Sequence, residues 1–207
     1  MKTARRTFIK NIAVAGAAFS IIPSSSLFGK EKDGKVRLGF IGVGLRGQNH
    51  VEQPLYRSDT EVVAICDIQQ RMIDDTLALF SKQNKPKPQV IMDGPYGYKK
   101  LLELKDIDAV IIATPWEWHT IQCMDAMRAG KYVGCEVITG TTLDECWQLV
   151  HTSEQTGMPL MMLENVCYRR DVMAVLNMVR QNLFGELIHL QGGYQHDLRE
   201  VKFNDGK

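Results

Sequence analysis

With 207 residues, 44% of them hydrophobic and 24% charged, the chain has the composition of a globular protein and the length of one domain and part of a second. A net charge of +1 excludes the strong basic field that nucleic acid or an anionic membrane surface selects, so neither is expected as a partner. The five cysteines (Cys66, Cys123, Cys135, Cys146 and Cys167) show no Cys-x-x-Cys or other metal spacing; they read as small buried hydrophobes, and no metal site is expected.

At the N-terminus Arg5-Arg6 precede Thr7, Phe8, Ile9 and Lys10, and an apolar stretch runs from Ile12 to Ile22. That stretch is too short and too rich in Ala, Gly and Ser to stay across a bilayer, so no stable membrane span is expected. Twin arginines followed by x-Phe-Ile-Lys read as a twin-arginine export signal. Residues 1–30 are therefore expected to be signal peptide and linker, with the twin-arginine export machinery as a partner and the periplasm or the exterior as destination.

Beyond Gly34 short β-branched runs alternate with helical patterns. Strands are predicted over 36–41, 61–66, 108–113, 131–135 and 160–163, and helices over 48–57, 71–82, 120–129 and 143–155, with a loop at 85–88. This βαβα order implies an α/β fold, a doubly wound parallel sheet of the Rossmann kind over residues 35–165. Around Asn165 the pattern changes to a helix over 171–181 and a longer alternating strand over 187–196. Residues 166–207 thus read as the start of an α+β second domain. One helix and one strand cannot close a core, so the chain is expected to be part of a longer protein.

Three stretches carry the chemistry. Gly42-x-Gly44-x-x-Gly47 follows the first strand and opens the first helix. Its first glycine allows the tight turn, the second lets backbone approach a pyrophosphate, and the third lets helix pack on strand. The pyrophosphate then meets free N–H groups at a helix N-terminus. Asp67 ends the second strand, 20 residues after Gly47. A carboxylate there accepts hydrogen bonds from ribose hydroxyls and repels a 2′-phosphate, which favours NAD over NADP despite Arg46 in the loop. "ATPWEWHT", residues 113–120, follows a strand whose carboxyl end faces the ligand crevice. Trp116 and Trp118 are suited to wall a nicotinamide or a sugar, and His119 to donate to the cofactor. Glu136 ends a central strand.

These residues resemble the Gfo/Idh/MocA oxidoreductases through "GFIGVGLRG", Asp67, "ATPWEWH" and the acid of "KYVGCEV". In that family the last motif is usually Glu-Lys-Pro, with the lysine catalytic; this chain reads Glu136-Val137-Ile138. The combination of "WEWH", "CEV", "ENVCYRRDVMAVLNMVRQ" and "GGYQHDLR" is similar to glycoside hydrolase family 109 over nearly all of residues 35–199. That resemblance implies an NAD-dependent α-N-acetylgalactosaminidase acting on a glycan or small molecule with a terminal α-N-acetylgalactosamine. It places NAD contacts at Leu45-Arg46, Asp67, Trp116, Glu117, Trp118, His119, Glu136, Val137 and Asn165, and a substrate contact at Tyr194. The tyrosine–histidine pair implicated in catalysis is expected beyond Lys207; within the chain His196, on the same strand face as Tyr194, is the candidate.

The implied cycle oxidises the sugar at C3, eliminates the anomeric group after loss of the C2 proton, adds water and reduces C3 again. Its sum is hydrolysis with no net redox change, which suits an exported enzyme that meets no NAD pool. An exported sugar oxidoreductase and a non-catalytic cofactor- or sugar-binding relic are the alternatives, and oligomer formation is left open. Asp197 and Arg199 read as a surface ion pair. Tyr168, Arg169 and Arg170 read equally as substrate contacts or as a solvated helix start. His50, His151 and His189 have no sequence companions and receive no role.

Overall fold

A computed structural model describes residues 34–193 together with 195, 197 and 199. The chain divides into two compact units, one running through Glu164 and one beginning at Asn165.

The first unit is a six-stranded, all-parallel sheet. In chain order its elements are β1 (Val36–Ile41), α1 (Leu45–Leu55), β2 (Thr60–Cys66), α2 (Gln70–Lys82), β3 (Gln89–Ile91), α3 (Tyr98–Leu102), β4 (Ala109–Ile112), α4 (Trp116–Arg128), β5 (Tyr132–Cys135), α5 (Leu143–Thr156) and β6 (Leu160–Met162). The strand order is β3-β2-β1-β4-β5-β6, the doubly wound Rossmann arrangement. The strands read as apolar runs because the sheet is covered on both faces. Alternate residues serve the two faces, except in β2, where the register with β1 skips Val63 and so brings Val62 to the same face as Ile65. Phe40, Val62 and Ile65 pack with Val51, Leu55, Ile73 and Phe80 of α1 and α2. Ile41, Ala64, Cys66, Val110 and Ile112 pack with Leu101, Leu102, Cys123, Met127 and Leu149 of α3, α4 and α5.

Helix boundaries follow local chemistry. Thr142 and Glu145 form a reciprocal capping box at the start of α5, and Gly157 at φ +68° ends that helix. Two helices begin earlier than periodicity predicts. α1 starts at Leu45, inside the glycine motif, and α4 starts at Trp116 directly after Pro115, because proline fixes a φ suited to a helix entry. Two elements had no usable sequence signal: β3 has three residues and α3 five, shorter than either period needs.

The second unit contains a short 3₁₀ turn (Val166–Tyr168) and α6 (Arg170–Arg180). Neither buries a residue, and Val172, Met173, Val175 and Leu176 are exposed. Of the strand expected over 187–196, the described residues 187–193 have no regular structure, since a strand needs a neighbour to pair with. Tyr194, His196 and the N-terminal 33 residues lie outside the described residues. Asp197 and Arg199 form an exposed ion pair at 2.6 Å.

Three cysteines (Cys66, Cys123 and Cys135) are buried, Cys146 and Cys167 are exposed, and all five are free thiols. Burial, with Asp67 and Asp93 nearby, pushes the Cys66 thiol up to about 12.

Candidate functional site

Parallel pairing aligns the carboxyl ends of β2, β1, β4, β5 and β6 along one edge. Each strand hands its last carbonyl to the residue leaving its neighbour: Gly42 N–H donates to Cys66 (2.8 Å), Ala113 to Ile41 (2.9 Å), Glu136 to Ile112 (2.9 Å) and Leu163 to Cys135 (2.8 Å). The glycine loop, Asp67, the Trp116–His119 turn and Glu136-Val137 therefore leave the sheet on the same rim. β2-β1 and β4-β5 wind in opposite directions from its centre, which makes the β1/β4 boundary the crevice of such a fold.

The three glycines of the loop do different work. Gly42 sits at φ +83°, and a Cβ there would meet the Ala113 carbonyl carbon at 2.8 Å. A Cβ on Gly47 would run into the Gly42 carbonyl oxygen. A Cβ on Gly44 would meet nothing within 4 Å. Gly42 and Gly47 are thus required by the protein's own packing, whereas the space at Gly44 is open to a ligand. Beyond it lies the N-terminus of α1, whose first N–H groups have no preceding carbonyl to bond. Asp67 fixes this half of the rim. Its Oδ2 accepts from Val43 N–H at 2.7 Å and its Oδ1 from Gln69 N–H at 2.9 Å, so the carboxylate joins the loop to the end of β2 and keeps lone pairs for ribose hydroxyls. These features fit a dinucleotide: an open cradle at the middle glycine, a helix N-terminus behind it and an acid 20 residues on.

On the other half, Glu136 is nearly buried, with 9% of its side chain exposed. Its Oε1 accepts from Arg46 Nε and lies 2.6 Å from His50 Nε2. Its Oε2 accepts from Val137 N–H at 3.1 Å. Arg46 and His50 are four residues apart, on one face of α1, so a single helix face clamps the strand-end acid from across the crevice. Burial raises the carboxyl's pKa, but the hydrogen bonds from His50, Arg46 and Val137 outweigh it and hold the group below the usual carboxylate range. The sequence alone gives His50 no role. Its signal was its spacing from Arg46, which has meaning only once the helix is known to start at Leu45.

Within α4's first turn, Trp116 is 59% exposed and Glu117 is exposed. Trp118 is half-buried, with its ring edge-on to Tyr96 at 5.4 Å; Tyr96 is a second residue that sequence reading passed over. His119 departs from its expected role. It is 1% exposed, and both ring nitrogens lie 2.7 Å from backbone carbonyls, those of Thr114 and Ile138. No ring nitrogen is left to donate to a cofactor. Val137 is half-buried beside Glu136, and the peptide after it is cis. Asn165 opens the second unit as the exposed N-cap of the 3₁₀ turn. Arg169, near it, pairs with Asp171 at 2.6 Å. Among the described residues no group of three or more His, Cys, Asp or Glu could hold a metal ion, and no helix is long and apolar enough to cross a membrane.

The sheet order and the glycine cradle define a dinucleotide-binding Rossmann domain. Comparison with known proteins agrees. Residues 36–164 match the oxidoreductase family with the NAD-binding Rossmann fold, and the chain belongs to that family. Residues 168–207 match the C-terminal domain of glycosyl hydrolase 109. A glycosyl hydrolase family 109 protein of Parabacteroides distasonis is 47% identical over 100% of this chain and 47% of its own length. One from Stenotrophomonas maltophilia is 51% identical over 98% of this chain and 44% of its own length. An α-N-acetylgalactosaminidase of Tannerella forsythia is 47% identical over 100% of this chain and 48% of its own length. Within the NAD-binding family, the particular branch is glycosyl hydrolase family 109.

The chain spans about half the length of these curated relatives. Among solved structures, scyllo-inositol dehydrogenase from Lactobacillus casei with bound NAD(H) and scyllo-inositol superposes with a TM-score of 0.64 at 19% identity, over 73% of this chain and 43% of that one. The WlbA dehydrogenase of Bordetella pertussis, in complex with NADH and UDP-GlcNAcA, gives 0.63 at 22% identity over the same shares. At these identities the likeness is one of fold. The cofactor of the domain is NAD.

Proposed function

We propose that the full-length protein hydrolyses terminal α-N-acetylgalactosaminides with NAD as a recycled cofactor. The observation that carries this reading is the rim after β5. There Glu136 is clamped by Arg46 and His50, and Val137 stands where the wider family usually has lysine, in a chain 47% identical to an α-N-acetylgalactosaminidase over its whole length. NAD, when bound, supplies hydride transfer in both directions and ends as it began. Asp67 holds the ribose, Gly44 leaves room for the pyrophosphate, and the α1 N-terminus offers N–H groups to it. Val137 neither donates nor accepts a proton, so the proton transfers on the sugar fall to other groups. Tyr194 is the sugar contact within the chain. The Arg5-Arg6 signal directs export, and because the twin-arginine route carries folded proteins, the cofactor travels already bound.

The test uses the full-length protein in deuterated water with a nitrophenyl α-N-acetylgalactosaminide. The expected result is release of the aryl group with no net NADH and with deuterium at C2 of the freed sugar. Cleavage without C2 exchange would exclude the elimination route. Steady NADH with a keto sugar would make the protein a sugar oxidoreductase. For export, replacing Arg5 and Arg6 by lysine is expected to leave the precursor in the cytoplasm; normal delivery of that variant would refute the signal.

A further inference from the structure

His119 is fully enclosed and has two hydrogen-bond partners of the same kind. Nδ1 lies 2.7 Å from the Ile138 carbonyl oxygen and Nε2 lies 2.7 Å from the Thr114 carbonyl oxygen. A carbonyl only accepts. A neutral imidazole has one N–H and one lone pair, so it satisfies one of these contacts and sets lone pair against lone pair in the other. Only the doubly protonated ring donates to both.

We propose that His119 is a positioning residue held as an imidazolium. One ring clasps the chain leaving β4 at Thr114 to the chain leaving β5 at Ile138, and it places a fixed positive charge under the half of the crevice opposite Asp67.

The neighbours are consistent with a retained charge. Burial opposes it and contacts with Cys135 and with the Ile138 and Thr114 carbonyls favour it, leaving the ring's pKa above the ordinary histidine value; with Cys135 a neutral thiol, the two carbonyls at 2.7 Å are what hold the charge. The titratable groups bearing on the ring are thiols: Cys135 at the end of β5 and, hydrogen-bonded to it, Cys123 one turn further along α4. The bond to Cys123 and burial push the Cys135 thiol up, so it stays neutral. Glu117, on His119's own turn, is exposed, and Glu136, next to Cys135, is engaged by Arg46 and His50. The two carbonyls therefore supply the negative ends that balance the ring. The same turn holds the loop a second time, through Thr120 Oγ1, which donates to the Thr139 carbonyl at 3.2 Å.

When the ring loses a proton, one of its two bonds is lost and the two strand ends are no longer clasped through the ring. A folded-state pKa above the unfolded value means that this contribution is complete below about pH 6.5 and disappears as pH rises through the folded value. The consequence for the dinucleotide rests on the NAD reading above; the protonation state of the ring does not.

The experiment is nitrogen-detected histidine NMR on the full-length protein, with His119 assigned by its disappearance in His119→Gln. The expected spectrum has both ring nitrogens protonated at about pH 7, above the ordinary histidine midpoint. A single protonated nitrogen there would overturn the proposal. Retained NAD is then measured against pH. In the wild type it should fall about tenfold, the worth of one charge-assisted hydrogen bond, through the same pH range in which His119 titrates. His119→Gln, whose single donating nitrogen faces one carbonyl while its oxygen can only accept, should begin about tenfold weaker and stay flat across that range. An imidazolium spectrum with pH-independent retention would refute the positioning role. Absence of NAD at every pH would refute the cofactor reading, with the spectrum still deciding the charge on the ring.

Discussion

On the β1–β2 side of the crevice, the glycine loop and Asp67 are held by backbone: a close approach of Gly47 to Gly42, and two N–H groups on one carboxylate. On the β4–β5 side, the strand ends are held by side chains arriving from other elements, Arg46 and His50 on Glu136 and His119 on Thr114 and Ile138. The first half is sensitive to volume, because one added carbon has nowhere to go. The second is sensitive to charge, because its bonds require particular ionised forms. One cofactor crevice thus combines a rigid steric mould with an electrostatic clamp.

The largest effect should come from the steric half. Gly47→Val drives a branched side chain into the Gly42 carbonyl and should cost about 3 kcal/mol, read from the denaturation midpoint of the full-length protein. A midpoint near wild type would mean that the helix can shift away and that the mould is soft.

Glu136→Gln attacks the clamp. It removes the charge that Arg46 and His50 share in a nearly buried position and should cost about 2 kcal/mol near neutral pH. The wild-type carboxyl is depressed in the fold. Its stabilisation is therefore present above about pH 4.3 and is lost as pH falls through the depressed value. Thermal melts of the two proteins should converge in acid, and a gap that stayed constant with pH would show that charge is not what holds this half.

Asp67→Asn sharpens the contrast within the first half. One amide oxygen replaces two carboxylate oxygens that each accept a backbone N–H, so one N–H loses its partner, at a cost of about 1 kcal/mol. Retained NAD should fall and the preference against NADP should narrow, measured by competition between the two dinucleotides. An unchanged preference would remove Asp67 from the ribose site.

Gly44→Ala should be the mildest. Its Cβ meets no protein atom within 4 Å, so stability should change by less than about 0.5 kcal/mol. Retention of NAD should nonetheless drop, because the methyl group occupies the space left for the pyrophosphate. If stability falls as it does for Gly47→Val, the cradle is closed by protein rather than left for ligand.

Local signals that survive without tertiary context were readable in the chain. The β1, β2, β4 and β5 runs are apolar because both sheet faces are covered, and the helix predicted over 143–155 is found at Leu143–Thr156. Gly42-x-Gly44-x-x-Gly47 and Asp67 announce a dinucleotide site because their roles are set by backbone geometry over a short span. Val137 in place of the usual lysine was visible from position alone. Short elements such as β3 and α3 were not, since three or five residues contain no period to read.

What only the tertiary structure decided is which side chains meet. His50 lies 86 residues from Glu136 in sequence, and Arg46 lies 90; the sheet order brings α1 and the end of β5 to one rim. His119 looked like a ligand donor because a histidine after a strand end faces the crevice in such folds. The start of α4 at Trp116 instead turned it inward, between two carbonyls. Sequence fixes a residue's chemistry and its local backbone, while long-range pairing of parallel strands, separated by whole helices, determines its partners and hence its charge.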